Sequence, residues 1–197
     1  MPKLGMEPIR RASLIKATIA EIGQAGSLEV TVSRIAKRAG MSSALAHHYF
    51  GSKEALFLAA MRDVLRLYGA EVRGALAAAE GGAEGSAGRA RAVIRASFSP
   101  ANFRREVIAA WLNFYVLAQS QDQARRLLRI YQRRMVSNLR HALRPVLGDR
   151  AGSVAQGIAA MIDGVYLHAA LGPSSPDGVA AARQVEAYLD AELGRGA

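Results

Sequence analysis

Apolar residues recur at helical spacing along nearly the whole chain, and β-branched runs that alternate with a period of two do not occur. The first apolar segment ends at Gly26 and Ser27, and its buried face is predicted to comprise Ala12, Ile15, Ile19 and Ile22. Because this spacing repeats to the end of the chain, the pattern predicts an all-α fold of about nine helices.

Two short helices follow the first one. Thr31 is a good N-cap for the second helix, and Ser42 is a good N-cap for a third helix that ends near Tyr49. Gly40 permits a sharp turn between them. This arrangement predicts a helix-turn-helix at about residues 31–50, with Leu45 in its core.

The remaining helices are longer. Ser52 is expected to cap a fourth helix, and the segment Ala78 to Gly88, rich in glycine and alanine, is expected to form a loop. Further helices are predicted at about residues 89–98, from Pro100 onward, and at about 122–143, 149–171 and 178–193. We therefore expect a three-helix DNA-binding domain at residues 1–68 and a larger helical domain at residues 69–197.

The charge of the chain indicates a polyanionic partner. The formal net charge is +10, and residues 1–53 carry eight basic against three acidic side chains. Double-stranded DNA is the expected partner, although basic residues that only maintain solubility are an alternative. A basic run on the predicted seventh helix, which includes Arg125, Arg126 and Arg129, is interpreted as a solvated face.

Composition argues against other classes of protein. Cysteine is absent, and the four histidines are not arranged with a nucleophile or in a metal-ligand pattern. We therefore expect no enzyme, no metal site and no cofactor. No apolar run is expected to reach the length of a bilayer, and no export signal is visible, so we predict a cytoplasmic protein without a membrane partner.

Candidate DNA contacts lie in and around the helix-turn-helix. Small or hydrogen-bonding side chains near the start of the third helix are expected to approach bases, and basic side chains or helix starts are expected to contact phosphates. Capping alone would also explain Thr31 and Ser42, and packing would explain Tyr49. The candidates are Arg10, Arg11, Thr31, Arg34, Ser42, Ser43, Ala44, His47, His48, Tyr49 and Lys53.

These motifs resemble the TetR family of repressors. The matching residues are Thr31-Val32, Ile35-Ala36, Ala39-Gly40-Met41-Ser42, Tyr49-Phe50, Lys53 and Leu56. Further matches lie at Met1–Arg11, Ala110-Trp111-Leu112, Arg133-Arg134-Met135 and Ala159–Gly164. In these segments the chain resembles the BetI-type branch of the family, and this resemblance implies control of glycine betaine synthesis in response to choline. Ala44 departs from the usual glycine, and Tyr115 and Tyr166 stand where tryptophan is expected.

The resemblance implies a homodimer through the last two helices and a pocket for a small-molecule effector such as choline. A quaternary ammonium is held by aromatic faces through cation–π attraction, so the effector candidates are Trp111, Phe114, Tyr115, Tyr131, Asp163 and Tyr166. The same aromatic residues would also suit an ordinary helical core. Two functional alternatives stay open: a TetR-type regulator of drug efflux, and a basic architectural or RNA-binding protein without an effector.

Overall fold

The computed structural model describes residues 6–80, 82 and 85–195, and that part of the chain is helical without any strand. The prediction of an all-α fold is therefore confirmed. The α-helices are α1 (Met6–Ala25), α2 (Val32–Arg38), α3 (Ser43–Phe50), α4 (Lys53–Ala78), α5 (Gly85–Ser97), α6 (Arg105–Ser120), α7 (Asp122–Leu147), α8 (Ala151–Leu171) and α9 (Gly178–Gly194). A 3₁₀ turn at Gly148–Arg150 connects α7 to α8.

The chain divides into two compact units. The first consists of the residues up to Val64 together with Arg105–Arg125, and the second consists of Leu65–Arg104 with the residues from Arg126 onward. Helix α6 thus groups with the helix-turn-helix, although it is distant from it in sequence. The domain boundary after residue 68 stays a prediction.

In the first unit, α1 packs against both α2 and α6. Two partners bury a wide face of α1, which includes Leu14, Ala17 and Ile22. Of the four positions predicted for this face, Ile19 and Ile22 are buried and Ile15 is half-buried, whereas Ala12 is exposed and the prediction was wrong there. Gly23 permits a close approach of α1 to α6, since a Cβ atom built there would lie 2.5 Å from the Cα of Glu106 on α6.

In the second unit, α9 packs against α5 and α8, and α7 contributes a buried row that includes Tyr131, Met135 and Leu139. Asp177 caps α9, and its Oδ1 accepts hydrogen bonds from the backbone N–H groups of Val179 and Ala180 at 2.9 and 3.0 Å. The core of this unit is built from aliphatic and aromatic side chains.

Three predicted helix boundaries were wrong. Helix α6 begins at Arg105 and not at Pro100, because residues after Pro100 form a turn in which the Phe103 N–H donates to the Ser99 carbonyl at 2.7 Å. Helix α7 continues past Pro145 to Leu147. A proline in the last turn removes a single hydrogen bond, and burial of Leu147 holds that turn in place. Helix α5 begins at Gly85, so the last four residues of the predicted loop at 78–88 are helical, and residues 81, 83 and 84 of that loop lie outside the described residues.

Candidate nucleic-acid interface and effector residues

The helix-turn-helix is built by local hydrogen bonds that its sequence specifies. Thr31 Oγ1 accepts from the Arg34 N–H, and Ser42 Oγ accepts from the Leu45 N–H, each at 3.2 Å. Gly40 between α2 and α3 has a φ of +69°, a left-handed conformation that favours glycine. Thr31 and Ser42 are therefore helix caps, and this is the plainer of their two predicted roles.

Helix α3 exposes most of the predicted base-reading residues. Ala44, His47 and His48 are exposed, and Ser43 is half-buried. Ala46 is the buried residue of this helix, whereas Leu45, which was expected in the core, is only half-buried. The small side chains at the start of α3 leave room for close approach to a groove.

Arg11 attaches the start of α1 to the end of α3. Its guanidinium donates to the Tyr49 carbonyl at 2.5 Å and lies 4.5 Å from the centroid of the Phe50 ring. The carbonyl groups in the last turn of a helix lack intrahelical partners, so Arg11 satisfies one of them. Arg10 lies beside it, 3.5 Å from the Tyr49 hydroxyl. Sequence reasoning assigned both arginines to phosphates and missed this bracing contact.

A buried carboxylate joins α1 to α2. Glu21 accepts a hydrogen bond from Arg38 at 2.5 Å, and its second oxygen lies 3.0 Å from the guanidinium of Arg34. The hydrogen bond from Arg38 lowers the pKa of Glu21, and the charges of both arginines act in the same direction. Arg34, a predicted DNA contact, is thus held by Glu21, although about half of its side chain is exposed.

Lys53 stands at the first position of α4, where the structure places its ammonium 5.3 Å from the centroid of the Phe57 ring. The preceding Ser52 caps the helix, and its hydroxyl accepts from the Ala55 N–H at 3.1 Å. A cation at a helix start lies beside backbone N–H groups that also attract phosphates.

The aromatic residues of α6 belong to the first unit. Trp111 and Phe114 are buried, and Tyr115 is half-buried. The rings of Trp111 and Tyr115 lie 6.2 Å apart, as their spacing of one helical turn predicts. Helix α6 therefore carries an aromatic pair and also contacts α1, which packs against α2 of the helix-turn-helix.

The second unit contains an aromatic cluster that includes two of the predicted effector residues. Tyr131 packs edge-on against Tyr68 at 4.9 Å, and the Tyr166 hydroxyl donates to the Ser97 carbonyl at 2.5 Å. The Tyr68 hydroxyl lies 3.3 Å from the Ser97 hydroxyl. We call Tyr68, Tyr131 and Tyr166 the tyrosine cluster.

Burial raises the pKa of Tyr68 to about 12 and raises that of Tyr166 as well, and the negative charge of Asp163 adds to both shifts. Asp163 is half-buried. The tyrosine cluster therefore consists of neutral phenols within the electrostatic reach of a carboxylate. Sequence reasoning missed Tyr68, which lies four residues from both Val64 and Val72 on the buried face of α4 and could have been found there.

Helix α8 is rich in apolar residues, and seven of its 21 residues are buried. One window of 18 residues within Asp122–Leu171 reaches a mean hydropathy of 1.3, and 33% of that window is buried. The expectation that no apolar run reaches a bilayer-spanning length was therefore wrong. A single apolar helix is weak evidence for a membrane segment, because core helices share this composition. The exposed large apolar side chains on α8 and α9 are Leu167, Leu171 and Val179.

A helix-turn-helix with exposed small and polar residues on its second helix, in a basic all-α chain, defines a DNA-binding transcription regulator. Residues 14–60 match the model of the TetR family of bacterial regulatory proteins, and residues 86–194 match the C-terminal domain of BetI-type transcriptional repressors. The transcriptional regulator BetI of Brucella suis is 51% identical over 194 residues, which cover 98% of this chain and 96% of the relative.

Solved structures have the same fold. A TetR transcription regulator from Haloarcula marismortui aligns with a TM-score of 0.79 at 18% identity, over 93% of this chain and 98% of that one. A protein from Saccharomonospora viridis, whose crystal structure contains choline, aligns with a TM-score of 0.75 at 18% identity, over 91% of this chain and 95% of that one. The chain belongs to the BetI-type branch of the TetR family. It is therefore a transcriptional regulator and not an enzyme.

Proposed function

We propose that this regulator represses genes for the conversion of choline to glycine betaine and that choline, or a similar quaternary ammonium, is its effector. The observation that carries the proposal is the buried tyrosine cluster within reach of the Asp163 charge. The BetI-type resemblance supports the same effector class. The choline in the Saccharomonospora viridis protein shows that a chain of this fold can hold such a ligand.

The chemistry of a quaternary ammonium explains why these residues suit it. The methylated head has no N–H group to donate, so aromatic faces and a nearby negative charge are its natural partners. Asp163 would attract the cation of choline but would repel the carboxylate of glycine betaine. We therefore expect choline to bind more tightly than glycine betaine, the end product of the pathway.

Calorimetry with choline, glycine betaine and tetraphenylphosphonium tests the effector. Asp163→Asn should weaken choline binding about fivefold or more, since a partly desolvated charge pair is worth more than about 1 kcal/mol. Asp149→Asn, at an exposed carboxylate, is the matched control and should bind choline normally. A wild-type protein that ignores choline and binds tetraphenylphosphonium would contradict the proposal and favour a regulator of drug efflux.

Trp111 provides a second test of the effector proposal. Trp111→Ala should weaken choline binding by more than about 1 kcal/mol, because a desolvated cation–π contact is worth about 2 kcal/mol. Circular dichroism must show unchanged helicity, since Trp111 is buried. Normal choline affinity in a folded variant would make Trp111 a core residue only.

For DNA, we infer that α3 enters the major groove with Ser43, Ala44 and His47 toward base edges. Arg10 and Lys53 are assigned to phosphates, and Arg11 is assigned to bracing α3. Protection of a short palindrome in a footprinting experiment would support this arrangement. Equal affinity for all sequences would instead favour an architectural protein.

We further infer a homodimer through α8 and α9. A second copy would cover Leu167, Leu171 and Val179, and two recognition helices about 34 Å apart would then read successive major grooves. Leu171→Glu, at a residue that is 75% exposed in the single chain, should produce monomers in analytical ultracentrifugation, whereas Val146→Glu, at an exposed apolar residue on α7, should not. Dimers in both variants would place the interface elsewhere. As a regulator that acts on the chromosome, the protein is expected in the cytoplasm.

A further inference from the structure

Most of the net positive charge of the chain lies on one helix outside the helix-turn-helix. Residues 126–147 of α7 contain six arginines and no acidic residue, whereas the whole chain has a net charge of +10. The first 53 residues contribute +5, so the segments outside these two are slightly acidic in sum. The basic character of α7 is therefore a local feature and not a property of the whole surface.

Five of these arginines form a narrow row. With about 100° of rotation per residue, their side chains start within an arc of about 60° on the helix surface. The opposite face of α7 is the buried row that includes Tyr131, Met135 and Leu139. All five are exposed. We call this row the arginine stripe: Arg126, Arg129, Arg133, Arg140 and Arg144.

The arginine stripe differs from three other arginines of its unit. Arg91, Arg95 and Arg150 each form an ion pair with a carboxylate on α9, at 2.5 to 2.7 Å. Within the described residues the arginines of the stripe form no ion pair. Five like charges on one face repel one another, and this cost is offset when a polyanion binds.

We propose that the arginine stripe is a second surface for the phosphate backbone of double-stranded DNA, which binds independently of base sequence. The stripe runs along about 27 Å of helix, at 1.5 Å per residue, and a duplex carries one negative charge per about 1.7 Å of its axis. The segment contains no lysine, and the planar guanidinium of arginine binds phosphate through two parallel hydrogen bonds. A groove of about 420 Å³ beside the stripe adds the polar side chains of Gln132, Ser137 and Gln156.

Insertion into a lipid surface does not fit this helix, because its apolar face is already packed in the core of the unit. A second copy of the stripe does not fit either, because the charges are alike. The inference goes beyond the proposed function: a helix-turn-helix can read its operator whether or not α7 touches DNA.

The test is the salt dependence of binding between the full-length protein and a random-sequence duplex, measured by fluorescence anisotropy. The stripe variant Arg126→Gln/Arg133→Gln/Arg140→Gln should lower the slope of log affinity against log salt by about 2 to 3, since each phosphate contact contributes about 0.9. The control Arg73→Gln/Arg134→Gln/Arg183→Gln removes the same charge at exposed arginines outside the stripe. It should change the slope by less than about 1.

A variant with lysine at the same three stripe positions should keep the wild-type slope, because lysine still neutralises phosphate. Equal changes of the salt slope in the stripe and control variants would overturn the proposal, since a general effect of net charge would then explain the result. Binding to polyglutamate is measured as well. A folded stripe variant that keeps the wild-type salt slope on DNA but no longer binds polyglutamate would indicate an acidic protein partner. That result would also overturn the proposal. Choline affinity, measured in parallel, tests the proposed effector separately.

Discussion

The contact between α1 and α6 can be tested with a single methyl group. A Cβ atom at Gly23 would lie 2.5 Å from Glu106 Cα and 2.6 Å from Glu106 Cβ, whereas packed carbon atoms are separated by about 3.5–4.0 Å. The obstructing Cα is a backbone atom that no side-chain rotation can move. Gly23→Ala must therefore separate the two helices by about 1 Å.

Two effects of Gly23→Ala oppose each other. Alanine in a helix is favoured over glycine by about 1 kcal/mol, and overpacking of a well-packed contact costs about 1–3 kcal/mol. Because the clash involves backbone, we expect the upper end of that cost and a net loss of about 1–2 kcal/mol in the free energy of unfolding. Gly74→Ala on α4 is the matched control, since nothing lies within 4 Å of its new Cβ. It should stabilise by about 0.5–1 kcal/mol.

Urea unfolding followed by circular dichroism measures both variants at one protein concentration, because the stability of a dimer depends on concentration. The midpoints should shift in opposite directions, and equal shifts would refute the argument from packing. Release of operator DNA by choline provides a second measurement. Since α6 carries Trp111 and also contacts α1, Gly23→Ala should alter this response and Gly74→Ala should leave it unchanged.

Three further predictions concern the first unit. Arg11→Gln should weaken operator binding without changing the salt slope, and Arg11→Lys should recover part of the affinity; Lys53→Gln should instead lower the slope by about 1. Slopes that fall equally in both glutamine variants would make Arg11 a phosphate contact. Ser43→Ala or His47→Ala should cost about 1–3 kcal/mol at particular operator positions, and an equal loss on random DNA would exclude base readout. Glu21→Gln should reduce stability by about 1–3 kcal/mol at pH 7. Because the pKa of Glu21 is lowered in the folded state, the contribution of its ion pairs is present above the normal pKa near 4.5 and is lost as the pH falls through the folded-state value. The loss of stability in Glu21→Gln, relative to the wild type, should therefore disappear at acidic pH. A loss of stability that does not change with pH would contradict this role of Glu21.

Local signals in the sequence were sufficient to predict the helices and the turn between α2 and α3. Thr31, Gly40 and Ser42 act within three or four residues of their own positions, so capping and turn chemistry identify the helix-turn-helix without tertiary information. The boundaries that failed depend on longer contacts. Helix α6 begins late because a turn held at Ser99 comes first.

The roles of the arginines could not be predicted in the same way. Arg11 meets Tyr49 across 38 residues of sequence, and Arg38 meets Glu21 across 17. The pattern of charge along a sequence shows which residues are basic. It does not show which of them contact a carbonyl or carboxylate group in the folded chain. Tyr68 was missed for a related reason, because an aromatic residue on a long apolar face does not reveal its ring partners.

The net charge of a segment therefore does not show how many of its basic side chains are available to bind DNA. In the first unit, Arg11, Arg34 and Arg38 serve the internal geometry of the helix-turn-helix, since each is bound to a carbonyl or to a carboxylate. In α7 the arginine stripe has no such partner within the described residues. The sequence attributed the positive field mainly to the N-terminal segment, whereas the unoccupied guanidinium groups are concentrated on α7. If phosphate groups bind mainly the arginines that have no partner within the described residues, α7 should contribute more to the salt dependence of non-specific binding than the arginines that hold the recognition helix in place.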